Sequence, residues 1–186
     1  TFTKVHRDLS HYTYLGYTID YPPTSPSPCM TLSMPNYVPA MLSRLCPSGC
    51  GWATSPATYT PPVPYPDTST PSTLTTLVSP AEKTWIQQVV GSLLFYARAL
   101  DLSVLTAVCQ LSSHQSTPTQ HDLSAAHRLL NYVSSHRNPQ KTIHPSSMAL
   151  WACTDASFLS RPKSGSVVGC SVGLGDPPPY ILTPPP

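Results

Sequence analysis

Charge is what this chain has least of. Only 10% of its residues are Asp, Glu, Lys or Arg, against about a quarter in an average domain. The acidic residues number eight, and no two are adjacent: Asp8, Asp20, Asp67, Glu82, Asp101, Asp122, Asp155 and Asp176. A two-metal centre needs clustered carboxylates, so one built on an aspartate pair is excluded. The net charge of +2 is too small to argue for nucleic acid by itself. No apolar run reaches membrane-spanning length; the best candidate, 89–108, carries Arg98 and Asp101 in its middle. There is no P-loop and no nucleophile elbow, and the spaced glycines of 169–175 lack a dinucleotide fingerprint. Of the seven histidines, His121 and His127 are six apart and off a shared helical face, and none pairs with a nearby Asp or Glu at metal-ligand spacing.

Proline, by contrast, is abundant, with 24 residues. The prolines crowd 22–39, 56–80 and 177–186, and 81–117 holds none. Interior proline costs a helix about 3 kcal/mol, so the long helices and the packed core are expected mainly in 81–174. Six cysteines fall at 29, 46, 50, 109, 153 and 170. Cys109, Cys153 and Cys170 lie in apolar runs and read as small buried hydrophobes. Cys46 and Cys50 are the one close pair, but a zinc site needs two further ligands at suitable spacing. Reduced thiols and no signal peptide point to an intracellular protein, cytoplasmic or nuclear and not secreted. The absence of Met at position 1 fits a piece of a longer polypeptide.

The pattern predicts an α+β chain in five segments. In 1–45, residues 12–21 alternate as a strand through Leu15, Tyr17, Ile19 and Tyr21. Residues 29–34 alternate again, so the two read as a hairpin with a proline-rich tip. A helix over 35–45 follows, with Val38, Met41, Leu42 and Leu45 on one face. Residues 46–79 read as a Pro/Thr/Ser linker with little order. In 80–145, Ser79 with Glu82 and Thr119 with Asp122 form capping boxes. These frame helices over 80–99, 102–115 and 119–136, the second capped by Asp101 and burying Leu102, Leu105, Val108 and Cys109. Short loops imply antiparallel packing of the three. In 146–175, strands are expected at 148–154 and 166–174 around a turn at 159–165. The tail, 176–186, is expected to be disordered.

The words YLGYTIDY, LSMPNYVPAMLSRL, VVGSLLFYARALDLSVLTAV, LNYV and TDASFLSRPKSGSVVG occur in that order. Together they resemble the Pol polyprotein of copia-type retrotransposons, from the end of reverse transcriptase into the start of its ribonuclease H domain. The likeness spans most of 12–174 and leaves out the proline-rich linker and tail. It implies a reverse transcriptase palm end in 1–45, a thumb- or connection-like region in 80–145, and the opening hairpin of a ribonuclease H-like domain in 146–175.

The resemblance also implies roles. Tyr14, Leu15, Gly16 and Tyr17 match a primer-grip hairpin, which holds a primer end by rigid positioning rather than by a reactive side chain. The same words alone would also suit an ordinary core strand. Arg98, Arg128 and Arg137 would touch phosphates, although the residues by themselves suit an ordinary solvated surface better. Asp155 in TDAS matches the first ribonuclease H carboxylate and so a Mg²⁺ ligand; alone, it reads as a solvated aspartate at a strand end. Gly169 fits a close backbone approach. The parent enzyme would use Mg²⁺, with an RNA/DNA template–primer duplex and the remaining Pol segments as partners. It would have no membrane and no small-molecule substrate. The polymerase aspartate pair and the other nuclease carboxylates have no counterparts here. The isolated chain is thus expected to hold no cofactor and to catalyse neither DNA synthesis nor RNA cleavage. A different reading is a helical protein-interaction domain with proline-rich arms at 61–66 and 177–186.

Overall fold

The computed structural model describes residues 10–22, 29–58, 76–161 and 165–176. The proline-rich arms at 61–66 and 177–186 lie outside these residues. Mixed α and β structure forms two compact units, 10–143 and 144–176 among the described residues.

The first unit opens with β1 (His11–Tyr14), β2 (Tyr17–Asp20) and β3 (Met30–Ser33). Residues 12–21 are therefore two strands, not one. Leu15 and Gly16, at φ 49° and 87°, turn the chain between the Tyr14–Tyr17 pair. Positive φ at both central positions is what a two-residue hairpin turn of type I′ requires. The expected pairing of the two alternating stretches holds through β2 and β3, in register Ile19 to Leu32. A fourth strand, β4 (Lys141–Ile143), pairs with β3 and completes an antiparallel sheet in the order β1-β2-β3-β4.

Four helices supply the core. α1 (Tyr37–Leu45) buries Val38, Met41, Leu42 and Leu45, the face that its spacing predicts, and Pro39 sits harmlessly in the first turn. α2 (Pro80–Ala99) starts on the Ser79–Glu82 capping box and buries Ile86, Val89, Val90, Leu93, Tyr96 and Ala97. A 3₁₀ turn (Leu102–Val104), capped by Asp101, leads into α3 (Leu105–His114). α4 (Gln120–Ser135) starts on the Thr119–Asp122 box and buries Ala126, Leu129, Leu130 and Val133. One apolar cluster joins residues of all four helices with Met34. Trp85 ties α1 to α2: its indole N–H donates to the Leu45 carbonyl at 2.9 Å, satisfying an orphan acceptor at the end of α1.

Two expectations differ in this unit. The buried face around α3 is Val104, Ala107, Val108 and Leu111, while Leu102 and Cys109 are exposed. The 3₁₀ turn has three residues per turn, so it rotates the phase that a continuous α-helix would have had. The linker is also anchored over 46–58. The Gly51 N–H donates to Asn131 Oδ1 at 2.8 Å and the Ala53 N–H to Ser135 Oγ at 3.4 Å, with Ala53 buried. Composition suggested little order there, but α4 offers the partners that the segment lacks within itself.

The second unit is a two-stranded antiparallel ribbon, β5 (Ala149–Arg161) and β6 (Gly165–Gly175). Both strands run longer than predicted. Ser147 caps the open end: its N–H and hydroxyl donate to Asp176 Oδ1 at 3.0 and 2.7 Å. These bonds hold the Asp176 carboxyl below the usual carboxylate range, against slight opposition from desolvation.

Candidate nucleic-acid interface

The hairpin turn and α2 bring two of the sequence-predicted residues together. Tyr17, the first residue of β2, and Arg98, in the last turn of α2, line one open groove with Gly91, Leu94, Phe95 and Ala99. The groove encloses about 470 Å³. Gly91 opens directly onto it: a Cβ there would meet nothing within 4 Å. Phe95 is 48% exposed and presents a ring to the groove. Behind it, Tyr37 packs on Phe95 with centroids 5.5 Å apart and donates its hydroxyl to the Ser92 carbonyl at 2.9 Å. Burial raises the Tyr37 hydroxyl above its ordinary value, partly offset by Arg44. Arg44 in turn donates to Ser92 Oγ at 2.9 Å. The wall is thus braced from α1.

Arg98 is the free cation of this wall. Among the described residues it makes no ion pair, and no carboxylate pairs with any lysine or arginine. An exposed guanidinium beside two aromatic rings suits an anion carried on a planar or sugar-containing ligand. Tyr14 and Leu15, 62% and 76% exposed, extend the apolar surface at the hairpin tip. Gly16 is explained by its own backbone, since φ +87° disfavours a side chain there.

The other predicted arginines are engaged elsewhere. Arg128 donates from Nη2 to Ser55 Oγ at 2.8 Å. Arg137 donates from Nε to the Ser134 carbonyl at 2.7 Å, with Nη2 on Ser134 Oγ at 3.2 Å. Neither lines the groove.

Asp155 lies in the second unit. It does not end its strand: β5 continues to Arg161, and Asp155 faces Gly169 across the ladder. Its side chain is exposed, and Oδ1 accepts from the Ala156 N–H at 2.9 Å. Among the described residues no three His, Cys, Asp or Glu side chains gather. A Mg²⁺ pair takes several carboxylates, of which Asp155 would be one. The tight glycine of the ribbon is not Gly169, which has ordinary clearance, but Gly173, where a Cβ would overlap the Trp151 ring. Cross-strand register decides that contact, and no local word announces it.

The Cys46–Cys50 pair is a hydrogen-bonded turn. Cys46 Sγ donates to the Gly49 carbonyl at 3.0 Å, and the Gly49 N–H returns to the Cys46 carbonyl at 2.9 Å. Burial, with the neighbouring Cys46 thiol, pushes Cys50 up to about 12. A thiol so held is a poor nucleophile at neutral pH.

No protein-family model matches this chain, and neither a curated protein nor a solved structure matches it. No helix among the described residues is long and apolar enough to cross a membrane.

Proposed function

We propose that the groove between β2 and α2 receives the sugar-phosphate backbone of a nucleic acid, and that the chain is a non-catalytic positioning segment. The observation that carries this is the convergence of Tyr17, Phe95 and an unpaired Arg98 on one open wall. Arginine supplies a charge for a phosphate oxygen, and aromatic rings supply flat faces for sugar or base. Phe95 and Arg98 are spaced three apart on α2, and β2 brings Tyr17 to the same groove. On this reading the ligand is an RNA/DNA template–primer duplex. The chain is the part of a copia-type reverse transcriptase that holds the primer end, with β5–β6 as the opening strands of a ribonuclease H-like domain. Asp155 would be the first nuclease carboxylate of the parent enzyme, completed by carboxylates this chain lacks.

The test is titration of the full chain with a labelled RNA/DNA hybrid over a salt series. Tyr17→Ala and Arg98→Gln should each weaken binding, and Arg98→Gln should lower the salt slope by about one. Arg137→Gln, away from the groove, should leave affinity near that of the unmodified chain. Failure to bind at low salt, or equal loss in all three variants, would overturn the reading.

A further inference from the structure

The segment 51–55 is laced to one face of α4. Arg128, Asn131 and Ser135 are spaced by three and four residues, which stacks them along the helix. They bond in order to Ser55 Oγ, the Gly51 N–H and the Ala53 N–H. The Ser55 rung is the unbalanced one. Arg128 brings a full positive charge, but its one acceptor among the described residues is a neutral hydroxyl at 2.8 Å. Its Nε is buried with no partner. No carboxylate pairs with Arg128 among the described residues. The Ser55 hydroxyl itself donates to the Ala57 carbonyl at 2.8 Å.

Ser55 is followed by Pro56, and the segment around it is accessible: Trp52, Thr54, Ala57 and Thr58 are exposed. We propose that Ser55 is a phosphorylation site for a proline-directed serine/threonine kinase, with Arg128 as the built-in receptor for the phosphate. In the transfer, Ser55 Oγ bonds to the γ-phosphorus of ATP, and the bond from that phosphorus to the β-bridging oxygen breaks. ADP leaves, and the hydroxyl proton passes to a base on the kinase. The product carries up to two negative charges and three acceptor oxygens. A guanidinium fork matches these bidentately and gains the partner that Arg128 Nε lacks. Reaching Ser55 requires only local opening of a short loop held by a few hydrogen bonds. The Ser79-Pro80 pair offers a contrast. Its hydroxyl donates to Glu82 Oε2 at 2.8 Å, so a phosphate there would meet a carboxylate and break a helix cap.

The experiment treats the full chain with ATP and a proline-directed kinase, and locates the phosphate by mass spectrometry. Melting temperatures are then compared before and after treatment, with Ser55→Ala measured alongside to subtract modification elsewhere. Phosphate on Ser55 should raise the melting temperature by about 3–6 °C. The rise should vanish in Arg128→Gln and shrink in Arg128→Lys, which keeps the charge but loses the fork. If Arg128→Gln does not melt cooperatively, the lysine variant carries the comparison. No phosphate at Ser55, no rise, or an equal rise in the Arg128 variants overturns the proposal.

Discussion

Leu15 holds a positive φ of 49°, a conformation that a branched apolar side chain resists, and it is also 76% exposed. Asparagine before glycine is the favoured pair for such a turn. Leu15→Asn should therefore stabilise the first unit by about 0.5–1 kcal/mol, read from urea unfolding. If Leu15 serves the proposed interface, the same change lowers affinity for an RNA/DNA hybrid. Asp122 makes a second prediction. Burial pushes its carboxyl up, but the Thr119 N–H and hydroxyl and His114, at 2.8, 2.7 and 3.0 Å, pull it further down, and the net result lies below the usual value. A lowered folded pKa means that the carboxylate's contribution is complete above the ordinary aspartate value of about 3.9. It is lost as pH falls through the folded value. Wild type should exceed Asp122→Asn by about 1–2 kcal/mol at pH 7. The gap should close toward pH 2.5, and a gap that widens in acid would contradict the assignment. Both capping boxes were legible because every atom involved lies within three residues. The Trp151–Gly173 contact was not, because it depends on which residues the ribbon sets opposite each other.

Helix α2 does three jobs with one sequence. One face enters the core, its start is fixed by Ser79, Pro80 and Glu82, and its outer face carries Gly91, Phe95 and Arg98. Glycine inside a helix costs roughly 0.5–1 kcal/mol relative to alanine. With no atom within 4 Å of a Cβ at 91, Gly91→Ala should be stabilising by about that amount in chemical denaturation. Gly91→Leu should fold equally well yet obstruct the groove, lowering hybrid affinity without lowering stability. An unchanged affinity in the leucine variant would place binding elsewhere. Elements like α1, α2 and α4 could be read ahead of the structure because their apolar spacing is local and their caps are explicit. The phase of α3 could not, because a single 3₁₀ turn at Leu102–Val104 resets it. Strand β4 has three residues and exists only through its pairing with β3, more than a hundred residues earlier in the chain. The anchoring of 51–55 was equally hidden, since its partners belong to α4.

At the scale of the molecule, the two units differ in how they are held. The first has a continuous core of helix and sheet residues. The second is a ribbon whose Leu150, Phe158, Val168, Val172 and Leu174 are exposed. A lone two-stranded ribbon is marginally stable in water, and among the described residues its stabilisation comes from the ladder, the Trp151–Gly173 contact and the Ser147–Asp176 bonds. Cutting the chain after Ile143 should therefore leave helical circular dichroism and cooperative unfolding intact. The piece 144–186 alone should lack a cooperative transition. The cut also separates the two halves of the proposed function, because the groove lies wholly in the first unit and Asp155 wholly in the second. If the groove carries the affinity, 1–143 should bind an RNA/DNA hybrid within about twofold of the full chain, a change of roughly 0.4 kcal/mol. A tenfold loss with folding intact would move the binding surface to the ribbon. Asp155 and its neighbours, rather than Tyr17 and Arg98, would then be the residues to mutate next.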